Sequence, residues 1–527
     1  MAFTDRLANR GSISTATSFD IDNSCVFRSG TDNMYFNPDS TSSTAERRKG
    51  TISFWIKRGT DGAQRIFHFG EREGYDSRLF IRFNANGTMN FYPILTMTTA
   101  MVFRDPSAWY HIVWFFDCTQ AEQDPDSSSD TNHAQDPSTN PEGGSGTAQC
   151  GLWVNGVRIG NDNGLPHGNT AGRTQNSVSG WGRSTSDKHA IGYDYLDDTG
   201  AFNGYLAEFH AVQGQVLDAE DFGEFDEDSG IWIPKEVDLD NSDYGENGFY
   251  LKFDDSADMG ADSSGEGNDF TLVNIDSGNQ STDTPTNNFA VMNPQDREAT
   301  AFTYLTVSKG NLACTATYTD YNQIRASMGA GNGKWYHEIK ITDGAASGDR
   351  YFDMGIVDAD WSFKDSNAFG YNGGDLAYSV SSHGGIYHIG SGNLNDWSTS
   401  VGNYSENDIF MVALDMDNGR FWVGKNGTWW STNNGTANPA TGAYPCVPND
   451  DETNTTDNLL EEGFTMGMIG HGMYEVGTSR TYEVNFGGTN VFSISSGNAD
   501  ENGYGNFEYA PPSGFYAWCT KNLAEFG

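Results

Sequence analysis

Short runs of alternating apolar and polar residues, separated by turn-forming dipeptides, recur along most of the chain. Thr51–Lys57 (TISFWIK), Leu79–Phe83 (LFIRF), Met89–Tyr92 and Tyr110–Phe116 (YHIVWFF) are rich in β-branched and aromatic side chains, which suit a pleated, half-buried surface. Leu152–Ile159, Gly204–Val212 and Gly248–Phe253 continue the pattern, with Ile231-Trp232-Ile233-Pro234 between the last two. Further on, Lys334–Ile341, Tyr351–Val357, Ile409–Leu414, Gly419–Gly424 and Tyr482–Phe486 read as strands too. Asn-Gly pairs at 86–87, 155–156, 418–419 and 426–427 lie between such runs and predict tight hairpins, because both residues tolerate positive φ. Helical periodicity is nearly absent, so the pattern predicts an all-β chain.

Polar stretches divide the chain. Residues 1–20 lack periodicity and carry Arg6 and Arg10, so they read as an N-terminal arm that anchors to a partner. A first sandwich is expected over 21–254, a polar linker over 255–300 and a second sandwich over 301–527. Residues 119–149 contain no aliphatic side chain larger than alanine and are expected to form a surface insertion, since they cannot bury enough apolar area to offset ordering entropy.

The 527 residues carry 72 acidic against 30 basic side chains, a formal charge of −42. A chain without a basic face does not suit a polyanionic nucleic-acid partner. No apolar stretch is long enough to cross a bilayer. The six cysteines are dispersed and read as buried thiols, with Cys118 and Cys150 open to a disulfide because they bracket the insertion.

The string TISFWIKRG followed by WYHIVWFFD, LWVNGVRIG and GYLAEFHAV resembles the laminin-G-like branch of the concanavalin-A-like jelly rolls. GKWYHEIKI, DMGIVD, VALDMDNGRFWVGKNGTWW and PPSGFYAWC, in that order, resemble a SPRY domain. DFGEFDEDSGIWIP and DTPTNNFA resemble text in structural proteins of tailed, marine-type phages, although the insertion after Cys118 departs from that pattern. The resemblance implies two tandem antiparallel β-sandwiches in a virion appendage, assembled in the host cytoplasm. It further implies contact with other virion proteins and with a host surface glycan or receptor, in a homo-oligomer, with trimers frequent among such fibres.

Aromatic residues in Gly- and Asp-rich loops are the features best suited to ligand contact, since ring faces stack on sugar C–H surfaces while amides and carboxylates bond hydroxyls. Trp361, Phe363, Tyr371 and Asn372 lie where SPRY domains present their binding surface; Trp397, Trp429 and Trp430 are further candidates, as are Trp181, Tyr193 and Tyr195 in the first sandwich. Each tryptophan beside a strand has a core reading as well.

No catalytic set is legible, and the chain is expected not to be an enzyme. Glu224 and Asp226 have the spacing of a glycanase carboxylate pair, but glycines and further acids surround them, and a solvated acidic loop is the simpler reading. They define the alternative of a glycan depolymerase; a purely architectural decoration protein is the other alternative. No cofactor is implied. Calcium is the one metal to weigh, at Asp254, Asp255, Asp258 and Asp262, since laminin-G-like modules sometimes hold it at their rim. Asp415, Asp417 and Asn418 begin like a calcium loop but lack its remaining ligands, so they read as a hairpin turn.

Overall fold

The computed structural model describes residues 19–527 except 29, 71–78, 93–96, 120–149, 160–174, 196–199, 299–300, 318–320, 343–350, 364–375, 382–384, 389–391, 397–403, 432–434, 448–457, 462 and 475–478. The chain divides into two compact units, Met1–Thr286 and Asn287–Gly527. Each consists mainly of two antiparallel sheets, as the alternation predicts.

In the first unit, one sheet runs in the order Val157–Arg158, Cys150–Val154, Trp109–Asp117, Lys49–Arg58, Gly204–Gln213, Ser24–Phe27, Gln280–Ser281, with Phe249–Leu251 also pairing Gly204–Gln213. The facing sheet runs Thr271–Val273, Asn33–Phe36, His189–Ile191, Gln64–Phe69, Leu79–Phe83, Thr88–Tyr92, Met97–Val102. Side chains of period two from both sheets fill one core: Ile52, Phe54 and Ile56 alternate into it, opposite Phe67, Phe69 and Ile81. The other face of the first sheet is also buried. Trp55, Val113, Phe115 and Tyr205 point into a second cluster roofed by Phe222, Trp232 and Tyr244.

The second unit repeats the architecture with other strands. One sheet runs Met292–Arg297, Tyr321–Ala330, Gly467–Tyr474, Tyr351–Asp358, Ala377–Ser381, Gly385–His388, Gly392–Asp396. Its partner runs Leu305–Ser308, Ala313–Ala316, Arg480–Asn485, Lys334–Ile341, Ile409–Asp415, Arg420–Lys425, Thr428–Trp429, with Tyr516–Ala517 joining Lys334–Ile341 in parallel. Asn155-Gly156 and Asn426-Gly427 have positive φ at both residues, as two-residue hairpins require.

One expectation needs correction. The 255–300 stretch is not a linker: Thr271–Val273 and Gln280–Ser281 are edge strands of the two first-unit sheets, and Met292–Arg297 opens a second-unit sheet. Its polarity misled because much of it is tied down by hydrogen bonds; Asp283, for example, is buried against Lys57. Cys118 and Cys150, for which a disulfide was open, are buried free thiols, in line with the main reading of the cysteines. Strand pairing sets Cys150 opposite Phe116, while Cys118 lies beyond the end of that strand. The arm residues Arg6 and Arg10, and 120–149 of the insertion, lie outside the described residues.

Candidate functional site

On the outer face of the second sheet of the first unit, the strand Asn33–Phe36 sends Met34 and Phe36 into the core and leaves Tyr35 facing outward, half-buried. Lys188, half-buried, stands immediately before the neighbouring strand His189–Ile191, whose His189 is buried. The turn that follows brings in Tyr193 and Tyr195. The Lys188 ammonium lies 3.8 Å from the Tyr35 ring centroid and 3.9 Å from that of Tyr195. Tyr195 packs edge-on against both Tyr35 and Tyr193, with centroids 5.3 Å apart in each case. Its hydroxyl donates to Asn33 Oδ1 at 2.6 Å. Burial, and then the neighbouring Tyr35 and Tyr193, push that hydroxyl up to about 12, so it remains a neutral donor near pH 7. Three partly exposed rings and an ammonium thus share one surface, with the buried Asn33 amide holding Tyr195 from beneath. Such a patch can stack a ring face against C–H groups and offer polar bonds at its edge.

A second concentration of chemistry lies on the buried outer face of the eight-stranded sheet, around a small recess lined by Trp55, His111, Glu208, His210, Phe222 and Lys235. Glu208 has φ +46° at a register shift between Ala207 and His210, a conformation unusual for a side chain with a Cβ. Its carboxylate accepts from the Tyr250 hydroxyl and lies 3.7 Å from His210 Nε2. His210 Nδ1 is 2.9 Å from the Tyr244 hydroxyl. His111 Nδ1 accepts from Trp232 Nε1 at 2.9 Å, and its Nε2 is bonded to Ser53 Oγ. Burial, and then the neighbouring His210, depress His111 to about 3, so it is a neutral imidazole near pH 7. The recess contains a single carboxylate, whereas glycoside hydrolysis by the common route needs two.

The sequence-derived candidates divide along these lines. Tyr193 and Tyr195 are brought together, with Tyr35 and Lys188 as partners that the sequence reading missed; the alternation of Met34, Tyr35 and Phe36 was the available signal. Trp181 needs correction: it is fully buried, stacks on Phe69 at 4.5 Å and donates to the Asn247 carbonyl at 2.8 Å, so it is core. In the second unit Trp361 and Trp430 are also buried, at 6% and 7% exposure, which withdraws both as open stacking faces. Phe363 and Trp429 remain half-buried. Phe363 packs edge-on against Trp361 and lies 5.1 Å from Arg325, whose fork holds Asp296 through bonds of 2.7 and 2.8 Å. Tyr371, Asn372 and Trp397 lie outside the described residues.

Glu224 is exposed, whereas Asp226 is buried and accepts from the Asp228 and Ser229 amides, so the two do not share a groove. The four aspartates weighed for calcium serve as turn caps or lie exposed. Asp255 accepts from Ala257 N, Asp258 from Gly260 N, and Asp262 from Tyr250, Ser264 and Asn268 amides. Asp254 is exposed. Among the described residues no group of three or more metal-ligating side chains converges. Asp415 accepts from the Asn418 amide and side chain, as a hairpin cap does.

No family model matches the chain, and no curated protein matches it. Among solved structures, it is similar to the SPRY domain of human HERC1, at 16% identity over 37% of this chain and 96% of that one, with a TM-score of 0.25. A heptameric SAP-like pentraxin from Limulus polyphemus is 12% identical over 38% of this chain and 80% of that one, at a TM-score of 0.23. A candidate carbohydrate-binding protein from Bacteroides ovatus is 14% identical over 49% of this chain and 59% of that one, at 0.29. Likenesses this low carry no functional argument, and the description of the chain as two all-β, sandwich-like units rests on its own strand pairing.

Proposed function

We propose that this chain is a non-catalytic binding protein that contacts a surface glycan, and that it does so as an appendage of a tailed-phage particle. The observation that carries the binding reading is the surface formed by Tyr35, Tyr193, Tyr195 and Lys188, which brings together the ring and polar groups that bind saccharides. Phe363 beside Arg325 supplies a second, smaller ring surface in the other unit. The phage setting rests on the resemblance of Asp221–Pro234 and Asp283–Ala290 to virion proteins, with the N-terminal arm as the attachment to the particle.

The test is a screen of host-surface polysaccharides and their oligosaccharides against the full chain, followed by titration calorimetry on the hits. Tyr195→Ala and Tyr193→Ala are each expected to weaken binding about tenfold, as removal of a buried aromatic anchor does. Undiminished affinity in both variants would remove the patch from the binding surface. Release of new reducing ends from a bound polysaccharide would instead establish a depolymerase. Deleting residues 1–20 is expected to abolish incorporation into particles, and normal incorporation would remove the arm's role.

A further inference from the structure

The run Asp221–Pro234, which resembles phage virion text, has no part in the tyrosine patch. It folds as a hairpin outside the two main sheets, with Gly223–Phe225 paired to Trp232–Pro234. One side is anchored. Trp232 is buried, donates to His111 at 2.9 Å and lies so close to Gly156 that a Cβ there would come within 2.0 Å of its ring. The turn is equally fixed: Asp226 N donates to the Ile231 carbonyl, and its carboxylate accepts from Asp228 and Ser229.

This rigid base presents two large apolar side chains to solvent. Phe225 is 50% and Ile231 63% exposed, and they flank the same turn, whereas most exposed large hydrophobics elsewhere stand singly. Val157, 49% exposed, follows the glycine that abuts Trp232 and adds a third. Around them Glu220, Asp221, Glu224, Glu227 and Asp228 are all exposed, against two half-buried cations, Lys235 just after the hairpin and Arg158 just after Val157. An apolar tip edged by a clear excess of carboxylates selects its partner by complementarity. Anionic membranes and nucleic acids are repelled, and so is a second copy of a chain with a charge of −42.

We propose that this hairpin is a docking prong for a basic protein segment that interleaves apolar side chains with lysine or arginine. The apolar residues would cover Phe225 and Ile231 while the cations meet the carboxylates.

The test uses the full chain and two synthetic probes, a short peptide alternating leucine with lysine and one alternating serine with lysine, at equal charge and near-physiological salt. The leucine–lysine peptide is expected to bind at least about tenfold more tightly, and to weaken as salt rises. Phe225→Ser with Ile231→Ser should remove that advantage at unchanged net charge, and Glu224→Gln with Glu227→Gln and Asp228→Asn should weaken the same peptide comparably. Equal binding of the two peptides, or full retention of the advantage in the serine variant, would overturn the proposal. So would sedimentation showing a dimer of the unmodified chain that the serine variant lacks, since that would assign the prong to a second copy. All five substituted side chains are exposed and the anchor Trp232 is kept; an unchanged melting curve establishes that each variant is folded.

Discussion

Lys57 Nζ and Asp283 Oδ2 lie 2.7 Å apart, with both side chains buried, joining a central strand of the first unit to a residue 226 positions later. Asp283 also accepts from Trp109 Nε1 at 3.0 Å. Burial pulls the Lys57 ammonium below its ordinary value, and the carboxylate opposes that shift. Removing one member leaves an uncompensated buried charge. Asp283→Ala is therefore expected to destabilise the first unit by about 3–5 kcal/mol in denaturant titrations. Lys57→Met combined with Asp283→Leu should recover most of this, leaving about 1–3 kcal/mol for the orphaned Trp109 N–H. A single variant as stable as the unmodified chain would show the pair to be dispensable.

In the second unit, His337 and His471 face each other from opposed sheets with ring centroids 5.6 Å apart. Both are fully buried, and neither ring has a hydrogen-bond partner among the described residues. Burial depresses His471 to about 3; burial and then His471 hold His337 well below its usual range. The unfolded chain binds these protons near pH 6.5 while the folded unit refuses them, so stability is lost as pH falls from about 6.5 towards 3, by up to about 1.4 kcal/mol per pH unit for each histidine. Glu338 works against this between about 4.5 and 7, because burial raises it to about 7 and the folded unit binds that proton more readily. Urea midpoints between pH 7 and pH 5 should therefore fall, and His337→Phe should flatten the decline, whereas Glu338→Gln should steepen it. A midpoint that does not change with pH in all three proteins would refute the assignment.

Gly156 has φ +72° and no room for a methyl group against Trp232. Gly156→Ala must both strain the backbone and displace the indole, and is expected to cost about 1–3 kcal/mol. Hydrogen exchange read at 223–234 should increase more than exchange at Lys49–Arg58. Equal protection in the variant would mean that Trp232 does not anchor the hairpin.

Arg325 donates to both carboxylate oxygens of Asp296 and to the Trp361 carbonyl, so it sets the base on which Phe363 rests. Arg325→Lys keeps the charge but loses the planar fork, and should lower stability by about 1–2 kcal/mol while loosening exchange at 358–363. Unchanged exchange there would detach Phe363 from that support.

Much of the strand framework was legible because period-two alternation survives wherever one face meets the core, as in Lys49–Arg58 and Lys334–Ile341. The Asn155-Gly156 and Asn426-Gly427 hairpins were legible because the required φ values narrow the residue choice. Strands such as Gly467–Tyr474 (GMIGHGMY) were not, since alternating glycines supply no outward side chain to read. The recess was missed for the opposite reason. His111, Glu208 and His210 occupy positions that look solvent-facing in sequence, and the roof that includes Phe222 and Trp232 covers them. Trp181 was read as a loop ring because its partner Phe69 lies more than a hundred positions away, beyond the reach of any local pattern.

The salt link at Asp283 also has a bearing on how the polypeptide is made. A nascent chain that has emerged only as far as Phe253 already contains nearly every strand of its first unit, yet Lys57 still lacks its counter-ion and Ser24–Phe27 lacks its edge neighbour. That unit cannot mature segment by segment from the amino end. Its closure waits for the ribosome to deliver one aspartate 226 codons after the lysine that it neutralises.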